Sequence, residues 1–225
     1  MAVLMTPVQT SNGRPLAWAN PTQITIAEAT SNYAQDNNLA PTFSAPLSPA
    51  EATLLHAAAH VWELVANVHF MFVDDVASNQ PGIPDIRVGL SDLSAGLTQQ
   101  SLSFVGNTII HWNAKNQLLP DTVVAIEDPA EHPVVALGDD DFGYKGTTTT
   151  MFEAMIHELG HAIGLDHNPN DPTSIMNPII GRGNPLPDDQ DIAAVQSLYG
   201  APTQPLNISP AETQVLAGLF NFITG

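Results

Sequence analysis

The segment from His157 to His167, which reads HELGHAIGLDH, constrains this chain more than any other part of the sequence. Its first two histidines stand four residues apart, and on an α-helix that spacing places two side chains on one face. Two imidazoles on one face can reach a single metal ion, at nitrogen–metal distances of about 2.0–2.1 Å. The segment therefore predicts a helix that carries His157 and His161 as metal ligands.

The third histidine of this segment requires a break in that helix. His167 lies six positions after His161, so a continuous helix would turn it about 240° away from the other two ligands. Gly164 lies between them, and glycine readily adopts the positive φ angles that end a helix and reverse the chain. The spacing predicts that the helix stops at Gly164 and that His167 reaches the ion from the following turn.

Three histidine ligands predict a hydrolytic centre. A zinc ion held by three neutral nitrogens keeps one tetrahedral position open for water, as catalytic zinc sites do. Glu158 follows the first ligand, and its carboxylate is suited to take a proton from that water and deliver it to a leaving amine. The chain has no cysteine, and nothing in the sequence indicates a nucleophilic serine. We therefore expect attack by water without a covalent intermediate.

The charge balance argues against two classes of partner. The 225 residues carry 23 acidic and 5 basic side chains, a formal net charge of −18. Such a surface repels nucleic acids and anionic membranes, and it leaves carboxylates available for structural Ca²⁺. No apolar run approaches the roughly 20 residues of a membrane span. We expect a monomer that binds neither nucleic acid nor membrane.

Local patterns along the chain predict an α+β domain. Helix start signals occur at Ser48, which is followed by Pro49 and Glu51, and at Thr150, which is followed by Glu153. Helices are expected over residues 49–65, from Thr150 onward, over 188–199 with Gly200 ending the helix, and over 210–222. Strands are expected at residues 23–28, 68–73, 85–90, 107–112 and 122–126. Loops are expected at residues 29–47 and 138–143.

The segment 157–167 resembles the zinc signature of the metzincin clan of metalloendopeptidases. Ser174-Ile175-Met176-Asn177-Pro178 resembles the Met-turn of that clan, which would place Met176 beneath the metal. Residues 191–200 resemble the closing helix of the matrixin and serralysin families. The resemblance implies a twisted, mostly parallel N-terminal sheet with two long helices, and a smaller C-terminal subdomain after the zinc helix. We expect a tail at 1–20, the catalytic domain at 21–200 and a C-terminal tail with a short helix at 201–225.

The resemblance also implies an activity, namely a secreted zinc-dependent endopeptidase that cuts internal bonds of protein or peptide substrates. Ile179 and Ile180 follow the Met-turn, where these families wall the pocket for the residue after the cut. A zinc-binding adhesion or scaffold module without turnover remains an alternative, but Glu158 favours the enzyme. An intracellular peptidase with a narrow target is a second alternative, because the opening MAVLMTPVQTSNGRP lacks the features of a classical signal peptide.

The sequence departs from both families. Pro178 stands two residues after the Met-turn methionine, where serralysins usually have tyrosine. Asn168 follows the third histidine, where both families favour serine or proline. The sequence contains neither the glycine-rich repeats of serralysins nor the cysteine of a matrixin propeptide. We therefore expect a bacterial-type relative of matrixins and serralysins, with the subfamily open.

Two further clusters carry weaker predictions. Asp139, Asp140 and Asp141 are candidates for a calcium site, and a solvated acidic turn is an equally good interpretation. His56 and His60 stand four apart on the first predicted helix. They lack a third ligand, and no glutamate is expected beside them, so a packed face is favoured over a second metal site.

Overall fold

The computed structural model describes residues 8, 13–30, 42–76, 80–93, 105–137, 141–181, 184–203, 205 and 208–224. The strands are β1 (Ile24–Glu28), β2 (Phe43–Ala45), β3 (Phe70–Phe72), β4 (Ile86–Ser91), β5 (Gly106–Ile109), β6 (Thr122–Glu127), β7 (Val134–Ala136) and β8 (Phe142–Tyr144). The helices are α1 (Pro49–Val65), α2 (Met151–Ala162), α3 (Asp189–Tyr199) and α4 (Pro210–Thr224), and a short 3₁₀ turn spans Pro21–Gln23. None of these helices is both long and apolar enough to cross a membrane.

The main sheet has the strand order β3-β1-β4-β6-β5. Its first four strands are parallel to one another, whereas β5 pairs with β6 in the antiparallel direction and forms one edge. The short strand β2 adds to β4, also antiparallel. The predicted α+β class with a mostly parallel sheet is confirmed.

Helices α1 and α2 begin where the capping signals place them. The Ser48 side chain caps α1 together with Glu51, and the Thr150 side chain caps α2 together with Glu153. The two helices pack against each other, and the fully buried Trp62 of α1 donates its indole N–H to the Ile156 carbonyl at 2.9 Å. Every residue of β4 and β6 is buried, so these strands form the centre of the sheet.

Several strand predictions were wrong in their bounds. Strand β2 lies inside the expected loop 29–47, and β5 ends at Ile109 rather than at residue 112. Strand β3 covers only Phe70–Phe72 of the expected residues 68–73, and it is an edge strand with Met71 43% exposed. These strands are short and at edges, where three or four residues give little periodicity to recognise.

A hairpin of β7 and β8 replaces part of the loop expected at residues 138–143. Val134 pairs with Tyr144 and Ala136 with Phe142, whereas residues 138–140 lie outside the described part of the chain. The Tyr144 hydroxyl donates to the Glu127 carbonyl at 2.9 Å, which ties the hairpin to the end of β6.

Residues before β1 contact the end of α2. Leu16 is fully buried and Trp18 is 7% exposed. The Trp18 indole N–H donates to the Ala162 carbonyl at 2.9 Å, and the Trp18 amide donates to the Tyr199 hydroxyl at 3.1 Å. The division of the chain into tails and a catalytic domain stays a prediction, but part of the expected tail supports the helix that carries the metal signature.

The expectation that no glutamate lies beside His56 and His60 was wrong. Both imidazoles face the carboxylate of Glu212 on α4, each at 3.3 Å. His60 also lies 2.6 Å from Glu63 of its own helix, and His56 lies 3.4 Å from Glu28 of β1. We call these five residues the histidine–glutamate cluster. It joins α1 to α4, and each imidazole nitrogen faces a carboxylate oxygen rather than a common point.

Candidate metal centre

Helix α2 presents His157 and His161 on one face, and the chain turns back after it. The helix ends at Ala162, and Gly164 adopts φ +94°, a conformation that glycine adopts without strain. The Val8 amide donates to the Gly164 carbonyl at 2.8 Å. The predicted break is therefore confirmed, and it returns His167 to the face that holds the other two histidines.

The three imidazoles point one nitrogen each at a shared position. Nε2 of His157 lies 3.1 Å from Nε2 of His161 and 3.3 Å from Nε2 of His167, and the last two lie 3.1 Å apart. Two nitrogens bound to one tetrahedral ion at 2.0–2.1 Å are about 3.3 Å from each other. In the described part of the chain, this triad brings together three metal-binding side chains with converging ligand atoms.

The second nitrogen of two imidazoles is held by backbone. Nδ1 of His157 lies 2.7 Å from the Ile175 carbonyl oxygen, and Nδ1 of His161 lies 2.8 Å from the Leu165 carbonyl oxygen. A carbonyl accepts a proton, so each Nδ1 carries the hydrogen and each Nε2 presents a lone pair. Facing lone pairs repel unless a cation lies between them, so the donor set fits a divalent metal such as zinc.

Burial keeps these imidazoles neutral. Desolvation lowers the pKa of His157 to about 3, with the nearby His161 adding to the effect. Desolvation likewise lowers the pKa of His161 to about 4. It also lowers the pKa of His167, which is more exposed. Neutral imidazole is the form that binds metals, so the site needs no deprotonation of His157 or His161 at neutral pH.

Glu158 lies in the same cleft as the triad. It is only 5% exposed, and desolvation raises its pKa to about 7, against the opposing effect of a hydrogen bond from Thr108. The Thr108 hydroxyl donates to Glu158 Oε2 at 2.6 Å. A carboxyl group with a pKa near neutrality can both accept and release a proton at physiological pH.

The predicted Met-turn is a tight turn packed under α2. The Asn177 amide donates to the Ser174 carbonyl at 3.0 Å, and Met176 is fully buried with its sulfur against Gly160. A side chain at Gly160 would collide with that sulfur. Asn168 is one of the residues in which this chain departs from related families. Its backbone N–H donates to the Met176 carbonyl at 2.8 Å.

Asp191 holds this turn, a role that the sequence reading did not assign to it. Its carboxylate accepts hydrogen bonds from the Ser174 hydroxyl at 2.6 Å and from the Ile175 amide at 2.9 Å. The side chain is fully buried, and desolvation raises its pKa to about 6. The signal in the sequence was its position three residues after Asp188, where it completes the capping box of α3.

The proposed calcium cluster is described only in part, since Asp139 and Asp140 lie outside the described residues. The Asp141 carboxylate accepts hydrogen bonds from the amides of Phe142 at 2.7 Å and Phe152 at 3.3 Å. Burial raises its pKa. Asp141 therefore joins β8 to the first turn of α2, and calcium binding there stays a prediction.

The triad opens into a cleft of about 940 Å³. Its lining includes residues of the edge strand β5 as well as Ile179 and Ile180 from the segment after the Met-turn. Ile179 is 83% exposed, which is unusual for so large an apolar side chain. Val8 also lines the cleft. The cleft thus has both apolar and polar residues in its lining.

Residues 42–200 match the profile of the matrixin family. Matrix metalloproteinase-25 of Homo sapiens is 31% identical over 167 residues, which cover 68% of this chain and 26% of that protein. Macrophage metalloelastase of Oryctolagus cuniculus is 51% identical over 65 residues, 27% of this chain and 13% of that protein. Matrix metalloproteinase-16 of Homo sapiens is 45% identical over 56 residues, 23% of this chain and 9% of that protein. The chain thus spans about a quarter or less of these curated relatives.

Proposed function

This chain belongs to the matrixin family of metalloproteases, and on that premise we propose that it is a zinc-dependent endopeptidase that hydrolyses internal peptide bonds of proteins. The observation that carries the proposal is the convergence of three Nε2 atoms within 3.3 Å of one another, beside a buried carboxylate in an open cleft. We assign His157, His161 and His167 as the zinc ligands and Glu158 as the general base.

Zinc, when bound, supplies Lewis acidity that lowers the pKa of a water molecule and polarises a carbonyl group. The chain supplies the remaining functions. Three imidazoles would hold the ion, and backbone carbonyls fix the ring orientation of two of them. Glu158 accepts the proton of the attacking water and passes it to the leaving amine, a role suited to its pKa of about 7.

The cleft favours an extended peptide as substrate. Strand β5 lies at the edge of the sheet among the described residues, and a sheet edge offers backbone donors and acceptors to an extended chain, which would join the sheet as a further strand. Ile179 and Ile180 then suit an apolar side chain just after the scissile bond. Cleavage of a peptide library, with the residue at that position varied, checks this preference; equal rates for apolar and charged residues would contradict it.

The experiment for Glu158 compares two conservative variants on a mixed protein substrate. Glu158→Gln keeps the shape of the side chain but removes the base, and we expect at least a hundredfold loss of kcat. Glu131→Gln, an exposed glutamate outside the cleft, is the matched control. Both variants and the parent protein should bind about one zinc per chain. Equal activity of Glu158→Gln and the parent would remove Glu158 from the mechanism, and an inactive parent with zinc bound would favour a binding module.

The experiment for the ligands measures zinc directly. His157→Ala should lose tight zinc binding, and His111→Ala, outside the triad, should retain it. A chelator should abolish cleavage by the parent, and added zinc should restore it. Full zinc content in His157→Ala would contradict the assignment of the site.

Cellular location and assembly are further parts of the proposal. We expect the protein to be exported and to act as a monomer. Activity in the culture medium of the native host, together with a single monomeric mass by light scattering, checks both. Activity confined to the cell lysate would instead support an intracellular peptidase with a narrow target.

A further inference from the structure

The carboxylate of Glu158 is held by the edge strand β5 rather than by its own helix. The Thr108 hydroxyl lies 2.6 Å from Glu158 Oε2 and 3.0 Å from the Glu158 carbonyl oxygen. A hydroxyl has one proton to donate, and a carboxylate is the stronger acceptor of the two. Thr108 therefore fixes one oxygen of the Glu158 side chain from across the cleft wall.

Gly106 leaves the space that the other carboxylate oxygen occupies. A Cβ atom at Gly106 would fall on the Glu158 side chain, 2.5 Å from its Cγ and 2.7 Å from its Cδ. Any side chain there would force Glu158 to move. Gly106 has no positive φ, so close approach, rather than backbone conformation, explains the glycine.

These two residues form one surface. Residues two apart on a strand project to the same face, so Gly106 and Thr108 both face α2. Their strand is fixed by β6, with Gly106 opposite Ile126 and Thr108 opposite Val124, two fully buried residues at the centre of the sheet. The support for Glu158 is thus anchored in the rigid part of the fold.

We propose that Thr108 is a positioning residue that directs the Glu158 carboxylate toward the metal triad, with Gly106 providing the space for it. The proposal rests on the proposed function, because the orientation of the Glu158 carboxylate matters for catalysis only if Glu158 is the general base. The side chain of a glutamate has three rotatable bonds, and this contact would restrict them to one orientation.

The activity test uses three substitutions of threonine. Thr108→Val keeps the shape and removes the donor; we expect kcat to fall about 10- to 100-fold with KM changed less than twofold. Thr108→Ser restores the donor and should recover most of the lost kcat. Thr25→Val is the matched control, since Thr25 is also a strand threonine that donates to a carboxylate, that of Asp85 at 2.9 Å, away from the cleft. It should lower stability but leave kcat unchanged.

Gly106→Ala perturbs the same carboxylate in the opposite way, by filling its space. It should lower kcat at least as much as Thr108→Val. Adding Thr108→Ser to Gly106→Ala should not restore kcat, because a hydroxyl donor is already present at position 108. An unchanged kcat in Thr108→Val, or an equal loss of kcat in Thr108→Val and Thr108→Ser, would overturn the proposal. A loss confined to KM would also overturn it, because that pattern indicates altered substrate binding.

A measurement without zinc or substrate separates this inference from the proposed function. Unfolding of the metal-free protein by urea at pH 8 is compared for the parent, Thr108→Val, Glu158→Ala and the double variant, because alanine removes the acceptor at position 158. If the two side chains are in direct contact, the effect of the double variant on the unfolding equilibrium constant should differ by about fivefold or more from the product of the two single effects. If the parent cleaves no protein yet this coupling is present, the proposed function fails and the contact stands. If the coupling is absent, the positioning role fails whatever the activity.

Discussion

The carbonyl oxygen of Ile175 lies 2.7 Å from Nδ1 of His157, and this contact joins the turn below the histidine triad to the most buried of its three imidazoles. The amide of the same residue donates to Asp191 at 2.9 Å. Asp191 and His157 thus both bind the backbone of Ile175, one through its amide and the other through its carbonyl. Second-shell contacts of this kind set both the tautomer and the direction of a ligand.

Replacing Asp191 with asparagine should weaken zinc binding by roughly tenfold, because one of the two carboxylate oxygens becomes an NH₂ donor and can no longer accept the hydrogen bond from Ser174 or Ile175. Asp189→Asn, an exposed neighbour on α3, is the control and should bind zinc as the parent does. Competition with a chromophoric chelator measures both affinities. Equal affinities in the two variants would show that the turn does not depend on Asp191.

Alanine at Gly164 should weaken zinc binding and destabilise the fold by more than the strain of a positive φ alone. That strain costs about 1–2 kcal/mol for a non-glycine residue. A Cβ at Gly164 would also lie 2.5 Å from the Leu16 carbonyl oxygen. Gly200→Ala is the matched control, since Gly200 has φ +79° and open space around it. Urea unfolding and zinc titration of both variants check the difference, and equal losses would argue against the collision.

In the metal-free protein, His157 and His161 should reduce the stability of the fold as the pH falls from about 6.5 to about 4.5. Unfolded histidines take up protons near pH 6.5, whereas the folded pKa values of His157 and His161 are about 3 and about 4. Each histidine then removes up to about 1.4 kcal/mol of unfolding free energy per pH unit. Glu158 and Asp191 act in the opposite direction, because folding raises the pKa of Glu158 from 4.5 to about 7 and that of Asp191 from 3.8 to about 6.

The variant Glu158→Gln tests this balance. It removes the opposing contribution of Glu158, so the acid loss of stability should steepen by up to about 1.4 kcal/mol per pH unit. Urea unfolding at half-unit steps of pH measures both slopes, with Glu131→Gln as the exposed control. Parallel slopes in the parent and in Glu158→Gln would contradict the raised pKa of Glu158.

The contact of α4 with α1 should weaken at alkaline pH. The hydrogen bond to Glu63 raises the pKa of His60, against the opposing effect of burial, and the charge of Glu212 adds to the rise. A raised folded pKa means that the contribution is complete below about pH 6.5 and is lost as the pH rises through the folded value. Hydrogen exchange of the α4 amides should therefore be faster at pH 8.5 than at pH 6.

The substitution His60→Gln provides the control for that measurement. It should raise exchange in α4 at pH 6 and reduce the difference between the two pH values, after correction for the intrinsic rate. His111→Gln, outside the histidine–glutamate cluster, should behave as the parent. A pH difference that persists unchanged in His60→Gln would assign the effect to another group.

The parts of the structure that the sequence predicted are those that depend on neighbours along the chain. Capping at Ser48 and Thr150 needs only the next three residues, and the convergence of the triad needs only the helical period and one glycine. The α+β class followed from the same local patterns. The three-residue strands β2, β7 and β8 were missed because so few residues show no periodicity.

Contacts between distant segments could not be predicted in this way. Thr108 meets Glu158 across 50 positions, and Glu212 meets the helix of His56 and His60 from the far end of the chain. Nothing in the local sequence of either pair indicates its partner. Asp191 gave a local signal as a capping residue, but its contact with Ile175 depends on the folded turn.

The hydrogen bond from the Val8 amide to the Gly164 carbonyl joins the beginning of the chain to the turn that precedes His167. Pairs so far apart in sequence form late, because the entropy of closing a long loop must be overcome first. His167 would therefore join its two partners only when the first residues have docked. We therefore expect tight binding of a metal ion to develop late in refolding, and the time course of zinc uptake during refolding would test this expectation.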